Sequence, residues 1–264
     1  HYSISMANSG SAFNTRLYVN GELNDSVLRN YDLKKSFPSY NSTLVSDAYN
    51  SEINLQGWWR LQTNGSFLDS SGNGRDGTAT DSPTYDSTNK PNNYIAEASH
   101  DFDGVDDEIN IGTAATWDSI IGKASSGGSE KVTIAAWIRK TGGGTAPTII
   151  RFGNDSDGIS LKSNVNENLN FHAYWNSTNV SWQTPNGVFS EDEWVHVAAT
   201  YDASSKDNDP KIYVNGVAQT VSLIGSRGTA PYSGIVAGGD SDECAIGNAS
   251  TINRQWNGQL ADVS

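Results

Sequence analysis

At 264 residues the chain is long enough for one large core or two modest ones, and all-β sandwiches commonly reach this size as single domains. Lys and Arg number 17 against 30 Asp and Glu, a net charge of −13, which repels phosphate backbones and anionic membrane and removes the counterion release that drives nucleic-acid binding. The single cysteine, Cys244, excludes an intramolecular disulfide framework and a thiolate metal cluster, so stability must come from the core.

The chain opens on HYSISMANSGSAFNTRLYVNGE, which predicts a β-hairpin from Ile4 to about Val27 around Asn20-Gly21, because Asn-Gly between apolar runs signals a type I′ turn. A polar, Tyr- and Ser-rich connection follows, and a boundary is expected near Gln56, with the pattern resuming at GWWRL from Gly57. After Thr116, WDSIIGKA suits one or two helical turns. Alternation then dominates: in KVTIAAWIRKT, Val132, Ile134, Ala136 and Ile138 share one face and Thr133, Ala135, Trp137 and Arg139 the other. PTIIRFG, GISLKS, NLNFHAYW and ECAIGN read as further strands bounded by turn residues. WVHVAATYD is another, and KIYVNGVAQTVS is a hairpin turning at Asn215-Gly216. Many short strands without a long helix predict an all-β fold, a two-sheet antiparallel sandwich. The opening also echoes the late hairpin: His1 and His196 each precede a Tyr-Val-Asn-Gly by seventeen residues, at Tyr18 and Tyr213.

Residues 57–264 resemble the laminin G-like family of concanavalin A-like jelly rolls. The likeness rests on GWWRL, DSSGNGRDGT, HDFDGVDDEINIG, VTIAAWIRK, FSEDEWVHVAATYD, IYVNG and WNGQLADV, in the family's order. It implies two sheets packed face to face, one concave, with ligands held by loops at one rim or on the concave face. Residues 1–56 then look like the late hairpin of a preceding copy plus a linker. Residues 57–264 become a jelly-roll domain lacking its last strand, since the family usually adds one more. The function implied is that of a non-catalytic module in a larger extracellular, cell-surface or virion-surface protein. Its expected partners are a glycan or cell-surface receptor and neighbouring copies or modules, with no nucleic acid and no membrane insertion. A structural or decorating unit of a filament, fibre or capsid is the alternative.

Asp69, Ser71 and Asn73 before Gly74 have the oxygen spacing of the first half of a calcium loop, but the twelfth position is Thr80, which excludes an EF-hand. The resemblance adds Asp262 of GQLADV, so Asp69, Asn73 and Asp262 are the expected Ca2+ ligands, the alternative being a glycine-rich turn with Asx hydrogen bonds. Asp101 to Glu108 pack five carboxylates into eight positions, a solvated turn with Phe102 and Val105 inward or a cation site. Glycoside hydrolysis, known among relatives, needs two carboxylates across a cleft. The pattern Glu-x-Asp-x-x-Glu is missing, and Glu191-Asp192-Glu193 is the nearest substitute. Cys244 and His196 are expected to be structural. For ligand binding, His172, Tyr174 and Trp182 are the expected residues, amphipathic rings able to stack on and hydrogen-bond a sugar.

Overall fold

The computed structural model describes residues 2–9, 12–19, 22–29, 55–92, 96–121, 131–144, 146–153, 158–175, 178–227, 243–248 and 254–264. The chain divides into two units, His1–Leu55 and Gln56–Ser264. The first holds β1 (Tyr2–Ser9), β2 (Ala12–Val19) and β3 (Glu22–Arg29) in an antiparallel sheet of order β1-β2-β3. The expected hairpin is present as part of a three-stranded antiparallel sheet. The sequence expectation of a turn at Asn20-Gly21 lies outside the described residues.

In the second unit the strands are β4 (Thr78–Thr80), β5 (Thr84–Asp86), β6 (Ser99–Asp103), β7 (Glu108–Thr113), β8 (Lys131–Gly143), β9 (Thr148–Gly153), β10 (Gly158–Ser163), β11 (Leu169–Trp175) and β12 (Thr178–Gln183). They continue with β13 (Val195–Asp202), β14 (Lys211–Val214), β15 (Val217–Gln219), β16 (Ser222–Ile224), β17 (Glu243–Ile246) and β18 (Trp256–Ala261). One sheet has eight strands in the order β16-β12-β11-β10-β9-β17-β7-β4, and the other has seven in the order β15-β14-β13-β8-β18-β6-β5. These are the two antiparallel layers of a sandwich.

The predicted alternation is what builds the core. Ile134, Ala136 and Ile138 of β8 are buried and stand opposite Ala199, Val197 and Val195 of β13, so each register pair puts two apolar side chains on the inner face. Phe171, Leu161, Ile150 and Trp182 of the eight-stranded sheet belong to the same core cluster. The short helix α1 (Ala114–Ile121) buries Ala114, Trp117 and Ile121, a spacing that keeps them on one helical face. Trp117 Nε1 donates to Ile111 O at 3.0 Å, and its ring packs on Trp59 and Phe152.

The chain's last residues close the sandwich. Trp59 and Val263 exchange both backbone hydrogen bonds (2.8 and 2.9 Å), and Ala135 and Ser264 do the same at 2.8 Å. β18 lies between β8 and β6 and carries a bulge at Asn257/Gly258. Gly258 has φ +125 and faces the Arg139 carbonyl so closely that a Cβ would collide with it, which is why only glycine fits.

Candidate functional site

Five places in the sandwich unit hold chemistry that the sequence singled out or missed. The first is the Asp69 loop. Asp69 Oδ1 accepts from Trp58 N (3.0 Å) and Ser71 N (2.9 Å), and Oδ2 accepts from Ser71 Oγ (2.8 Å) and Arg75 N (3.0 Å). The carboxylate is saturated by protein donors, as in an Asx-type turn. Asn73 turns its Nδ2 toward Ser71 Oγ (3.1 Å) and Gln56 O (3.3 Å), and the Arg75 guanidinium donates to that same carbonyl at 2.5 Å. A cation here would meet N–H groups instead of free oxygens.

Asp262 lies across Trp59 from this loop, because Trp59 bridges Asp69 on one edge and Val263 on the other. Its backbone is left-handed at φ 47, and its Oδ1 is 4.0 Å from Arg60 Nε. Burial pushes its carboxyl up to about 7, against the opposing pull of Arg60 and a hydrogen bond from the Trp58 side chain. Asp69, Asn73 and Asp262 therefore do not form one oxygen cage, and the residues do not fit the expected calcium site.

The acidic turn after β6 brings oxygens of Asp103, Asp106 and Asp107 within 4.8 Å of one another. Asp103 N donates to Asp107 Oδ2 (2.8 Å) and Val105 N to Asp103 Oδ1 (2.7 Å). Burial, reinforced by Asp103, Asp106 and Asp101, raises Asp107 to about 6. Phe102 is buried as expected, but Val105 is 63 % exposed. That corrects the sequence reading: Gly104 takes φ +77, and the tight turn carries Val105 out of the strand's alternation.

The expected sugar-binding trio is divided between two faces. The register pairs Phe171 with Trp182, His172 with Ser181 and Tyr174 with Asn179. Trp182 is fully buried beside Phe171 and Tyr201, and its Nε1 donates to Asp209 Oδ1 at 2.6 Å, with the Arg227 guanidinium over the ring. It is a core residue, not a ligand contact. His172 is half-buried on the opposite, outward face with Ser181 Oγ 3.5 Å from its Nε2. The Tyr174 position shares that face, and its side chain lies outside the described residues. Ser160, Lys162 and Asn170, which face the same way, are buried.

The carboxylates before β13 are occupied. Glu191 pairs with Lys140 Nζ at 2.8 Å, Glu167 pairs with the same nitrogen at 3.0 Å, and Asp192 pairs with Arg139 at 2.7 Å. Lys140 is only 1 % exposed, so the two glutamates compensate a buried charge. Glu193 is exposed in the same turn.

The fifth place was not foreseen. Where β4 ends one sheet and β5 ends the other, an open cleft of about 660 Å³ is lined by residues 64–68, 77–79 and 82–85. Its lining is Asn, Ser, Thr, Gly, Pro, Ala and Leu with Phe67 and Tyr85, and contains no charged or titratable side chain other than the Tyr85 phenol. Beneath it His100 is fully buried. Its ring lies 4.9 Å from Phe67 and 5.8 Å from Tyr85, the latter its cross-strand partner. His100 Nδ1 is 3.0 Å from Leu61 O; a carbonyl only accepts, so Nδ1 carries the proton. Desolvation lowers the pKa of the imidazole and keeps it neutral. The cleft was invisible in sequence because its residues read as turn punctuation, and only the meeting of two sheet edges makes them a surface.

Residues 120–264 match the family model described as the concanavalin A-like lectin/glucanases superfamily. No curated protein matches the chain. Among solved structures, the Ruminococcus gnavus IT-sialidase CBM40 is 15 % identical, covers 54 % of this chain and 79 % of its own, and has a TM-score of 0.41. Mouse laminin α1 chain domains LG4-5 are 12 % identical, with 50 % and 34 % covered and a TM-score of 0.37. The botulinum neurotoxin serotype D/C binding domain is 14 % identical, with 78 % and 47 % covered and a TM-score of 0.47.

Proposed function

Because the chain belongs to the laminin G-like family of the concanavalin A-like lectin/glucanases superfamily, we propose that it is a non-catalytic module that binds a glycan through the cleft between β4 and β5. The observation that carries this reading is the cleft's chemistry: an open volume of about 660 Å³ with hydroxyl and amide groups around Tyr85 and no charge. Sugars present hydroxyls and apolar C–H faces, which amide, hydroxyl and aromatic side chains match. The lining offers no carboxylate, imidazole or thiol to act as general acid, base or nucleophile, so it suits binding without turnover. We assign the module to a larger extracellular or virion-surface protein, in keeping with its acidity.

A second reading puts the glycan on the outward face of β11 and β12, where His172 and the Tyr174 position stand. A glycan array followed by calorimetry on the full chain separates the two. Tyr85→Ala should weaken the array hit at least tenfold while His172→Ala leaves it unchanged. The opposite pattern moves the site to the sheet face, an array without any hit ends the glycan reading and favours a structural unit, and cleavage of the bound glycan would overturn the non-catalytic assignment.

A further inference from the structure

We infer that residues 1–29 are a second copy of segment 196–224, so that the chain carries a sandwich and a strand triplet equivalent to part of another. The inference rests on hydrogen-bond register together with the sequence echo. In β1 and β2, Tyr2 pairs with Val19, Ser3 with Tyr18, Ile4 with Leu17 and Ser5 with Arg16. In β13 and β14, Val197 pairs with Val214, Ala198 with Tyr213, Ala199 with Ile212 and Thr200 with Lys211. Each pair maps onto its counterpart at one constant offset. The next hairpin agrees: Val19 pairs with Glu22 and Tyr18 with Leu23, as Val214 pairs with Val217 and Tyr213 with Ala218.

Side-chain period makes this agreement demanding, since a slip of one residue would exchange the two faces of every strand. In the sandwich, Val197, Ala199, Tyr201, Ile212 and Val214 face the core and are buried. Their counterparts are Tyr2, Ile4, Met6, Leu17 and Val19, apolar or aromatic at every position. The counterparts of the outward Thr200, Lys211 and Tyr213 are Ser5, Arg16 and Tyr18. The copies agree around the Asn-Gly pair and part on either side of it: β1 and β2 stay paired on to Ser9 and Ala12, whereas β13 and β14 pair only as far as Thr200 and Lys211, and Leu17 pairs with Asp25 where Ile212 pairs with Gln219. β3 runs unbroken over eight residues, whereas its equivalent breaks into β15 and β16, which belong to different sheets.

A segment exchange tests the inference in the full chain. Residues 196–224 are replaced by a second copy of residues 1–29, which has the same length, and a control receives residues 2–30 instead. All eight tryptophans lie between Trp58 and Trp256 and outside the exchanged segment, so their fluorescence reports only the recipient sandwich. The in-register exchange should keep a cooperative urea transition with a lowered midpoint, and the shifted control should lose it. Loss of the transition in the in-register chain, or its retention in the shifted one, would overturn the equivalence.

Discussion

Replacing Asp262 with asparagine should raise stability in alkaline solution and leave it almost unchanged in acid. The carboxyl has an ordinary value of 3.8, and burial carries it to about 7 in the folded chain. Between those values the folded state holds a proton that the unfolded chain has released, so stability falls as pH rises from 3.8 to 7 and stays low above it. Each pH unit of that interval is worth about 1.4 kcal/mol, which makes the ionised carboxylate cost about 4 kcal/mol. Its side chain is 15 % exposed, and discounting for that solvent leaves about 2–4 kcal/mol for the variant to recover. In a unit of this size that corresponds to roughly 4–16 °C in melting temperature. The assay is urea unfolding followed by tryptophan fluorescence, with EDTA present, at about pH 4 and about pH 9. Equal or lower stability of the variant at about pH 9 would refute the reasoning. Added calcium sharpens the test: an ion bound at Asp262 would stabilise the parent and not the variant, whereas the saturated Asp69 loop implies no response in either.

His196 should give the opposite slope. Burial pushes it down to about 4 from 6.5, so its contribution, complete above 6.5, is lost as pH falls toward 4; His196→Gln should flatten stability over that window, measured by the same unfolding series. Glu167→Gln with Glu191→Gln should cost about 3–5 kcal/mol by stranding the buried Lys140 charge, while Lys140→Met should be near neutral or stabilising, both read by thermal unfolding. Trp182→Phe should cost about 1–3 kcal/mol through the hydrogen bond lost to Asp209 and leave glycan affinity untouched by calorimetry. Gly247→Ala should lower the melting temperature sharply, because Gly247 has φ +86 and its Cβ would enter the Phe102 ring.

The strands were legible because period-two alternation is a direct record of one buried face, as in β8 and β13. The hairpin at Asn215-Gly216 was legible because its turn demands positive φ at both residues, and they take φ 48 and 78. Trp182 was misread for a reason of parity. Which face a residue occupies on the second strand of a hairpin depends on the length of the turn, and NLNFHAYWNSTNVSWQ does not mark where its turn begins. The connection between β11 and β12 spans residues 176–177, which sets Trp182 opposite Phe171 and sends it inward. A turn one residue longer would have put it beside His172. The rim cleft was illegible because it joins edges of two different sheets, and His100 because its partners, Leu61, Phe67 and Tyr85, come from three separate segments.

The placement of β18 has a kinetic meaning. It sits between β8 and β6, with Gln259 Nε2 donating to Asp101 Oδ1 across 158 residues of chain. Until these residues leave the ribosome, the seven-stranded sheet exists as two pieces, with the edges of β8 and β6 that β18 will join still unpaired. Synthesis at about 5–20 residues per second holds those edges open for seconds, long compared with the microseconds a hairpin needs to form. Docking of β18 is therefore the late, decisive step in folding of the sandwich, of high contact order and slow. The interval before β18 docks is when the nascent chain is most exposed to strand exchange with its neighbours and most in need of a chaperone.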